Sequence, residues 1–208
     1  MPSDLLSCPL SRGSSLAPPR GLPELSLHRT TSADHETLAE LYARSYPPEI
    51  GAADVEAARA EIAATFAGEY GEPLPGACLL ARRDGHPAGA VLTTTRSLWD
   101  PHLAGPFVID LFVAPEHRDR GIGGALISTA MQTCAAAGHA ALSLRIGAGT
   151  SPAAHALYRR LGFTEVPAPP GPLTPAWSSR RRRGAPFSRM HRRGAAEGQC
   201  RRSPSTPA

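Results

Sequence analysis

Apolar positions in this chain recur every second residue in some stretches and at helical spacing in others, and the switches between the two patterns mark its elements. Leu25-Ser26-Leu27-His28-Arg29 alternates and predicts a short strand. Leu38, Leu41, Tyr42 and Ser45 share one helical face, with Ser32 as the expected N-cap, Asp34 and Glu36 where the helix dipole favours anions, and Pro47-Pro48 as the stop. An Ala/Glu-rich stretch from about 52 to 67, carrying Val55, Ile62 and Phe66, predicts a second helix closed by Gly68 and Gly71. Residues 77–81 and 88–95 read as strands around the turn-forming Asp84-Gly85-His86-Pro87.

Phe107-Val108-Ile109-Asp110-Leu111-Phe112-Val113 is almost continuously apolar, the pattern of a strand buried on both faces, and Asp110 is its one ionisable residue. Ile122, Ala125, Leu126, Thr129, Ala130 and Thr133 trace a helical stripe that Gly138 ends. Residues 141–146 alternate again, and Ala154, Leu157, Tyr158 and Leu161 form a last helical stripe before Gly162. The order β-α-α-β-β-β-α-β-α predicts an α/β domain with a mixed central sheet over residues 25–166.

Composition separates the ends from this domain. Residues 1–24 are proline- and serine-rich and read as a disordered leader. Residues 167–208 read as a Pro/Arg-rich, disordered basic tail. The formal net charge of +4 hides an asymmetry: residues 1–166 hold 13 Arg against 17 acids, and residues 167–208 hold nine Arg against Glu197 alone. The four cysteines, Cys8, Cys78, Cys134 and Cys200, share no metal-type spacing, which argues for a reducing compartment and against a metal site or a disulfide framework. No stretch has the length of a membrane helix and no signal-peptide core is present, so the expected location is cytoplasmic, with no membrane partner.

The segment Arg118-Asp119-Arg120-Gly121-Ile122-Gly123-Gly124-Ala125 follows a strand and opens a helix. Glycines at such a turn let backbone N–H groups face outwards, and the helix N-terminus adds unpaired donors, so a diphosphate can rest there. Leu126 stands where a dinucleotide fingerprint needs its third glycine, and no Gly-Lys-Ser/Thr of a P-loop follows.

The run from Ile109 to Ile127 resembles the coenzyme A motif of the GNAT N-acetyltransferases almost position by position, and Ala154-x-x-Leu157-Tyr158-x-x-x-Gly162-Phe163 resembles that family's second hallmark. The resemblance covers about residues 25–166. It implies a GNAT-like acyl-CoA N-acyltransferase fold, acetyl-CoA as acetyl donor with no metal, and a small-molecule or peptide amine as acceptor. It also implies a sheet that opens between the strands at 107–113 and 141–146. The pantetheine arm would then meet backbone at Leu111, Phe112 and Val113, and the pyrophosphate would meet Arg118, Asp119, Arg120, Gly121, Ile122, Gly123, Gly124 and Ala125. Ser151, with Thr150, stands where the family commonly carries Asn.

Transfer from a thioester needs a neutral amine, an oxyanion donor and protonation of the thiolate. By resemblance, Tyr158 is the general acid and the Val113 N–H the oxyanion donor. Asp110 is the candidate for binding or deprotonating the ammonium, with a structural carboxylate as the competing reading; His117, His155, Glu40 and Glu49 are weaker candidates. After Phe163 the family supplies two further strands, one beside the acceptor pocket. Here the proline run 167–172 intervenes, and only residues 185–190 read as a late strand. Rival readings are a non-catalytic acyl-CoA-binding module, and a nucleic-acid- or ribosome-associated protein held by Arg180–Arg183, Arg192-Arg193 and Arg201-Arg202.

Overall fold

The computed structural model describes residues 4–10, 24–147 and 150–167. In chain order its elements are β1 (Leu5–Pro9), β2 (Leu25–Arg29), α1 (His35–Ser45), α2 (Val55–Phe66), β3 (Leu79–Arg83), β4 (His86–Thr94), β5 (Phe107–Val113), α3 (Ile122–Ala136), β6 (Ala141–Arg145), α4 (Pro152–Arg160) and β7 (Thr164–Glu165). The strands form one mixed sheet in the order β2-β3-β4-β5-β6-β1-β7. Among the described residues only β5 and β6 pair in parallel.

Two apolar layers cover the sheet. One gathers Leu126, Ile127, Ala130 and Met131 of α3 and Tyr158 of α4 against Val91, Val108, Leu142 and Leu144. The other gathers Leu38, Leu41 and Tyr42 of α1 and Ala58 and Ile62 of α2 against Leu80, Leu92, Phe107 and Phe112. Leu38, Leu41 and Leu126 are fully buried, each contributing roughly 1.5–3 kcal/mol by leaving water.

Local chemistry explains most boundaries. Asp84 and Gly85 both have positive φ, so β3 and β4 are joined by a two-residue turn that matches strand twist. The α1 entry is capped one residue earlier than expected: the backbone N–H and hydroxyl of Thr31 both donate to Asp34, and Ser32 lies in a 3-10 turn. Asp54 caps α2 by accepting from Ala57 N at 2.7 Å, which places Val55 in an exposed first turn rather than on the buried face. The buried side of α3 includes Ile127, Met131 and Cys134 instead of Thr129 and Thr133, because α3 packs across β3, β4, β5 and β6 and needs a wider apolar face than one stripe.

The largest departure is at the N-terminus. Leu5–Pro9, inside the segment expected to be a disordered leader, is an interior strand, antiparallel to β6 over five positions and to β7 over two. Leu5 enters the α1/α2 layer, and Leu6 and Cys8 enter the opposite one. Serines and prolines on either side mask this two-sided burial when composition is read in a wide window. Of the strands expected after Phe163, the described residues contain only the short β7. The runs at 169–172, 180–183 and 185–190 lie outside the described residues.

Candidate active site

Parallel pairing between β5 and β6 is limited to Phe107↔Ser143 and Val108↔Leu144. Beyond those positions residues 110–113 pair only with β4, and the sheet opens between the strands where the family resemblance implies an opening. The same stretch carries an irregularity: Leu92 pairs with Asp110 and Thr93 with Val108, so Ile109 is an extra residue on β5. Its consequence is chemical. Phe107 and Val108 point to opposite layers, but Ile109 and Asp110 both face the α1/α2 side before alternation resumes with Leu111.

Asp110 lies in a small depression with Tyr42, Glu61, Ile62, Thr65, Tyr70 and Leu92. Tyr46 donates a 2.6 Å hydrogen bond to Asp110 Oδ1 and approaches the Leu111 carbonyl at 3.3 Å. Burial is the main cause that pushes the Asp110 carboxyl up to about 7; the Tyr46 hydrogen bond lowers it, and the nearby Glu61 charge raises it further. The phenol of Tyr46 is raised well above its ordinary value by burial and then by Asp110. Its ring is fixed by edge contacts with Tyr42, at 5.2 Å, which in turn meets Phe112 at 5.3 Å.

Tyr158 belongs to the opposite layer, where its ring packs edge-on against Phe163 at 5.7 Å. Burial first, and the Asp110 charge second, raise its phenol pKa. The strand opening thus lets a phenol from α4 and a carboxylate on the α1/α2 face lie within electrostatic range of one another.

The glycine turn has the geometry its sequence suggested. Gly121 is the N-cap of α3 with φ 79°, a left-handed conformation that suits glycine, and Asp119 also has positive φ. The first helical bond runs from Ala125 N to Gly121 O, so the N–H groups of Ile122, Gly123 and Gly124 have no partner inside the helix. A Cβ at Gly123 would lie 3.7 Å from both Leu157 Cδ2 and Val113 Cγ2, and one at Gly124 3.6 Å from Leu157 Cδ1. Those are ordinary contacts, so packing within the protein does not demand glycine at either position. The Gly123 Cβ position thus lies between Val113 and Leu157, and this cradle, with exposed Arg120 beside it, is where residues 122–124 would hold the diphosphate and adjoining pantetheine of a coenzyme A.

Other candidates have different roles. The Arg118 guanidinium donates to Ser45 O at 2.5 Å and Val113 O at 3.2 Å, tying the end of α1 to the end of β5. Ser151 caps α4 by accepting from Ala154 N at 3.2 Å, and Thr150 accepts from Gly147 N at 2.9 Å. The Phe112 side chain is buried in the core, which leaves its backbone as the part available to a ligand. Glu40 and Glu49 are exposed and do not line the Asp110 depression, and neither do His117 and His155, which are half-buried.

Two site residues escaped the sequence reading. Tyr46 precedes Pro47, which holds it in an extended conformation that leaves the helix. Glu61 is 7% exposed and falls on the apolar stripe Ala58, Glu61, Ile62, Thr65 of α2. An acid at a core-facing helical position was the available signal.

The GNAT acetyltransferase family model matches residues 35–163, more than half of the chain, and the chain belongs to that family. Solved structures agree on the fold. A GCN5-related N-acetyltransferase from Sphaerobacter thermophilus matches at TM-score 0.57 and 17% identity, over 80% of this chain and 50% of that one. The chain therefore spans half the length of that relative. The ribosomal-protein-S18-alanine N-acetyltransferase of Escherichia coli matches at 0.52 and 22%, over 69% of this chain and 79% of that one. A GNAT family acetyltransferase from Brucella melitensis, in complex with acetyl-CoA, matches at 0.50 and 19%, over 73% and 91%. No curated protein matches the chain. Among the described residues no cluster of His, Cys, Asp or Glu could hold a metal ion, and no helix is long and apolar enough to cross a membrane.

Proposed function

We propose that this protein moves the acetyl group of acetyl-CoA to a primary amine by direct attack in a ternary complex. The observation that carries the reading is the parting of β5 from β6 after Val108, beside which Asp110 lines a depression on the α1/α2 side while Tyr158 is buried in the opposite layer. Ile122, Gly123 and Gly124 N–H groups hold the donor's diphosphate, and the backbone of Leu111–Val113 holds its pantetheine. The donor supplies a thioester carbonyl; the chain's own groups manage the protons.

An ammonium of ordinary pKa, about 10, exceeds Asp110 by about three units, but transfer from water into this depression lowers the amine's pKa and narrows the gap. Asp110 takes one ammonium proton and passes it to solvent, with Tyr46 holding the carboxylate in place. The C–N bond forms and the thioester C–S bond breaks. A second nitrogen proton replaces the one that Tyr158 gives to the leaving sulfur. Tyr158, raised above the roughly 8.5 of a thiol, remains protonated at neutral pH and serves as a donor to developing sulfur charge. The Glu61 and Asp110 side chains and the acidic balance of residues 1–166 favour a cationic acceptor, small-molecule or peptide.

Direct transfer is favoured over a cysteine-bound acetyl group. The cysteines among the described residues, Cys8, Cys78 and Cys134, are buried, and burial raises each thiol above its ordinary pKa, the opposite of an activated nucleophile. Reduced, buried thiols suit a cytoplasmic setting. The test is thiol release from acetyl-CoA across alkylamines, polyamines, aminoglycosides and peptides. Amine-dependent release supports the reading. Acetyl-CoA binding without release for any amine would replace it with a non-catalytic binding module.

A further inference from the structure

α4 meets the start of α3 along one edge. Leu157 Cδ1 lies 3.6 Å from where a Gly124 Cβ would stand, and Leu157 Cδ2 lies 3.7 Å from the corresponding point at Gly123. Arg160, three residues after Leu157, shares that edge of α4 and reaches the same place: its Nη2 lies 4.0 Å from the Gly124 point. The guanidinium is thus held beside the N–H groups that have no partner inside α3. Arg160 is exposed, and among the described residues its side chain has no ion pair or hydrogen bond. The same holds for Arg120, which directly precedes the Gly121 cap. Asp119, the acid nearest in the chain, pairs with neither, and the first turn of α3 contains no acid.

Cations at the positive end of a helix are unfavourable until an anion joins them. The last turn of α4 favours an arginine at 160, but that accounts for its place in the chain and not for a guanidinium over Gly124. Resting on the acetyltransfer reading, we propose that Arg160 is a donor-specificity residue: it binds the diphosphate of coenzyme A over the first turn of α3 and so selects acetyl groups carried on the free cofactor. A guanidinium can donate two parallel hydrogen bonds to phosphate oxygens, while the Ile122, Gly123 and Gly124 N–H groups take the oxygens that remain. The assignment is to the diphosphate because Arg160 Nη2 and the backbone of Gly124 lie side by side. An acetyl group on the phosphopantetheine of a carrier protein brings a single phosphate diester, which cannot answer the N–H groups and Arg160 as fully.

The experiment measures Kd by calorimetry for acetyl-CoA and for acetyl-dephospho-CoA, which lacks the 3′-phosphate, in the full-length wild type, Arg160→Gln and Arg160→Lys. Arg160→Gln should weaken both donors about tenfold, and Arg160→Lys should recover part of the loss. The gap between wild type and Arg160→Gln should narrow as salt rises from about 0.05 to about 0.5 M, which a packing role would not produce. Melting curves should change little, because the side chain is exposed. A loss seen with acetyl-CoA alone would move Arg160 to the 3′-phosphate and overturn the proposal. So would a gap that salt leaves unchanged, or an Arg160→Gln protein that binds both donors like wild type. If wild type itself binds neither donor, the acetyltransfer reading fails and takes this assignment with it; binding by wild type with no effect of Arg160→Gln sinks the assignment alone.

Discussion

Gly123→Ala separates what the fold needs from what a donor needs. Gly123 is in the first turn of α3, and an added methyl would lie 3.7 Å from Leu157 and Val113, without a clash. Replacing a helical glycine with alanine typically stabilises by about 0.5–1 kcal/mol, because the unfolded chain has less freedom to lose. For a domain of this size that is a rise in Tm of up to about 4 °C. The same methyl stands between the two walls of the donor cradle, where a bound pantetheine would have to yield. Overpacking by one methyl costs roughly 1–3 kcal/mol, or about 5- to 150-fold in acetyl-CoA Kd. Calorimetric titration of both proteins with acetyl-CoA, paired with melting curves, measures the two effects. Opposite signs, with stability unchanged or higher and affinity lower, are expected. Unchanged acetyl-CoA affinity in Gly123→Ala would refute the placement of the donor in this cradle.

Asp110→Asn should lower kcat by about 10²–10⁴-fold, and the wild-type rate should rise with pH along a limb centred near 7, the value at which the carboxyl loses its proton; a pH–rate profile of both proteins reads this. Tyr46→Phe removes the hydrogen bond that lowers the Asp110 pKa, so the limb should move to higher pH; movement to lower pH would contradict the assignment. Tyr158→Phe should reduce kcat by about 10²-fold or more while the acetyl-CoA Kd changes little, which stopped-flow turnover and calorimetry check together. Asp110 also bears on stability. Its folded pKa lies above the unfolded 3.8, so the folded state holds the extra proton between pH 4 and 7 and loses stability as pH rises through that window. Melting curves of Asp110→Asn should be flatter from pH 4 to 7, by no more than about 4 kcal/mol in total since solvent reaches part of the carboxylate.

The glycine turn was legible because its requirements are local. The positive φ at Gly121, the unpaired N–H groups of the first α3 turn and the long apolar strand before them are written in contiguous residues. Asp110 stood out as a lone charge in an apolar run, but its orientation depends on the Leu92/Thr93 register shift, which only strand pairing reveals. Tyr46 and Glu61 meet Asp110 from sequence distances that no local pattern connects. β1 was hidden for a related reason: five residues gain their burial from β6 and β7, more than 130 residues away. The sheet beyond β6 therefore reads poorly from sequence, because it is assembled from both ends of the domain.

The most direct test of the central claim is to mix the protein with acetyl-CoA and 2-phenylethylamine, then follow intact protein mass and amine mass together. The account predicts an acetylated amine, free coenzyme A, and a protein whose mass never changes, with or without the amine. An acetyl group on the protein before the amine is added, or acetyl-CoA left intact with every amine tried, would contradict it.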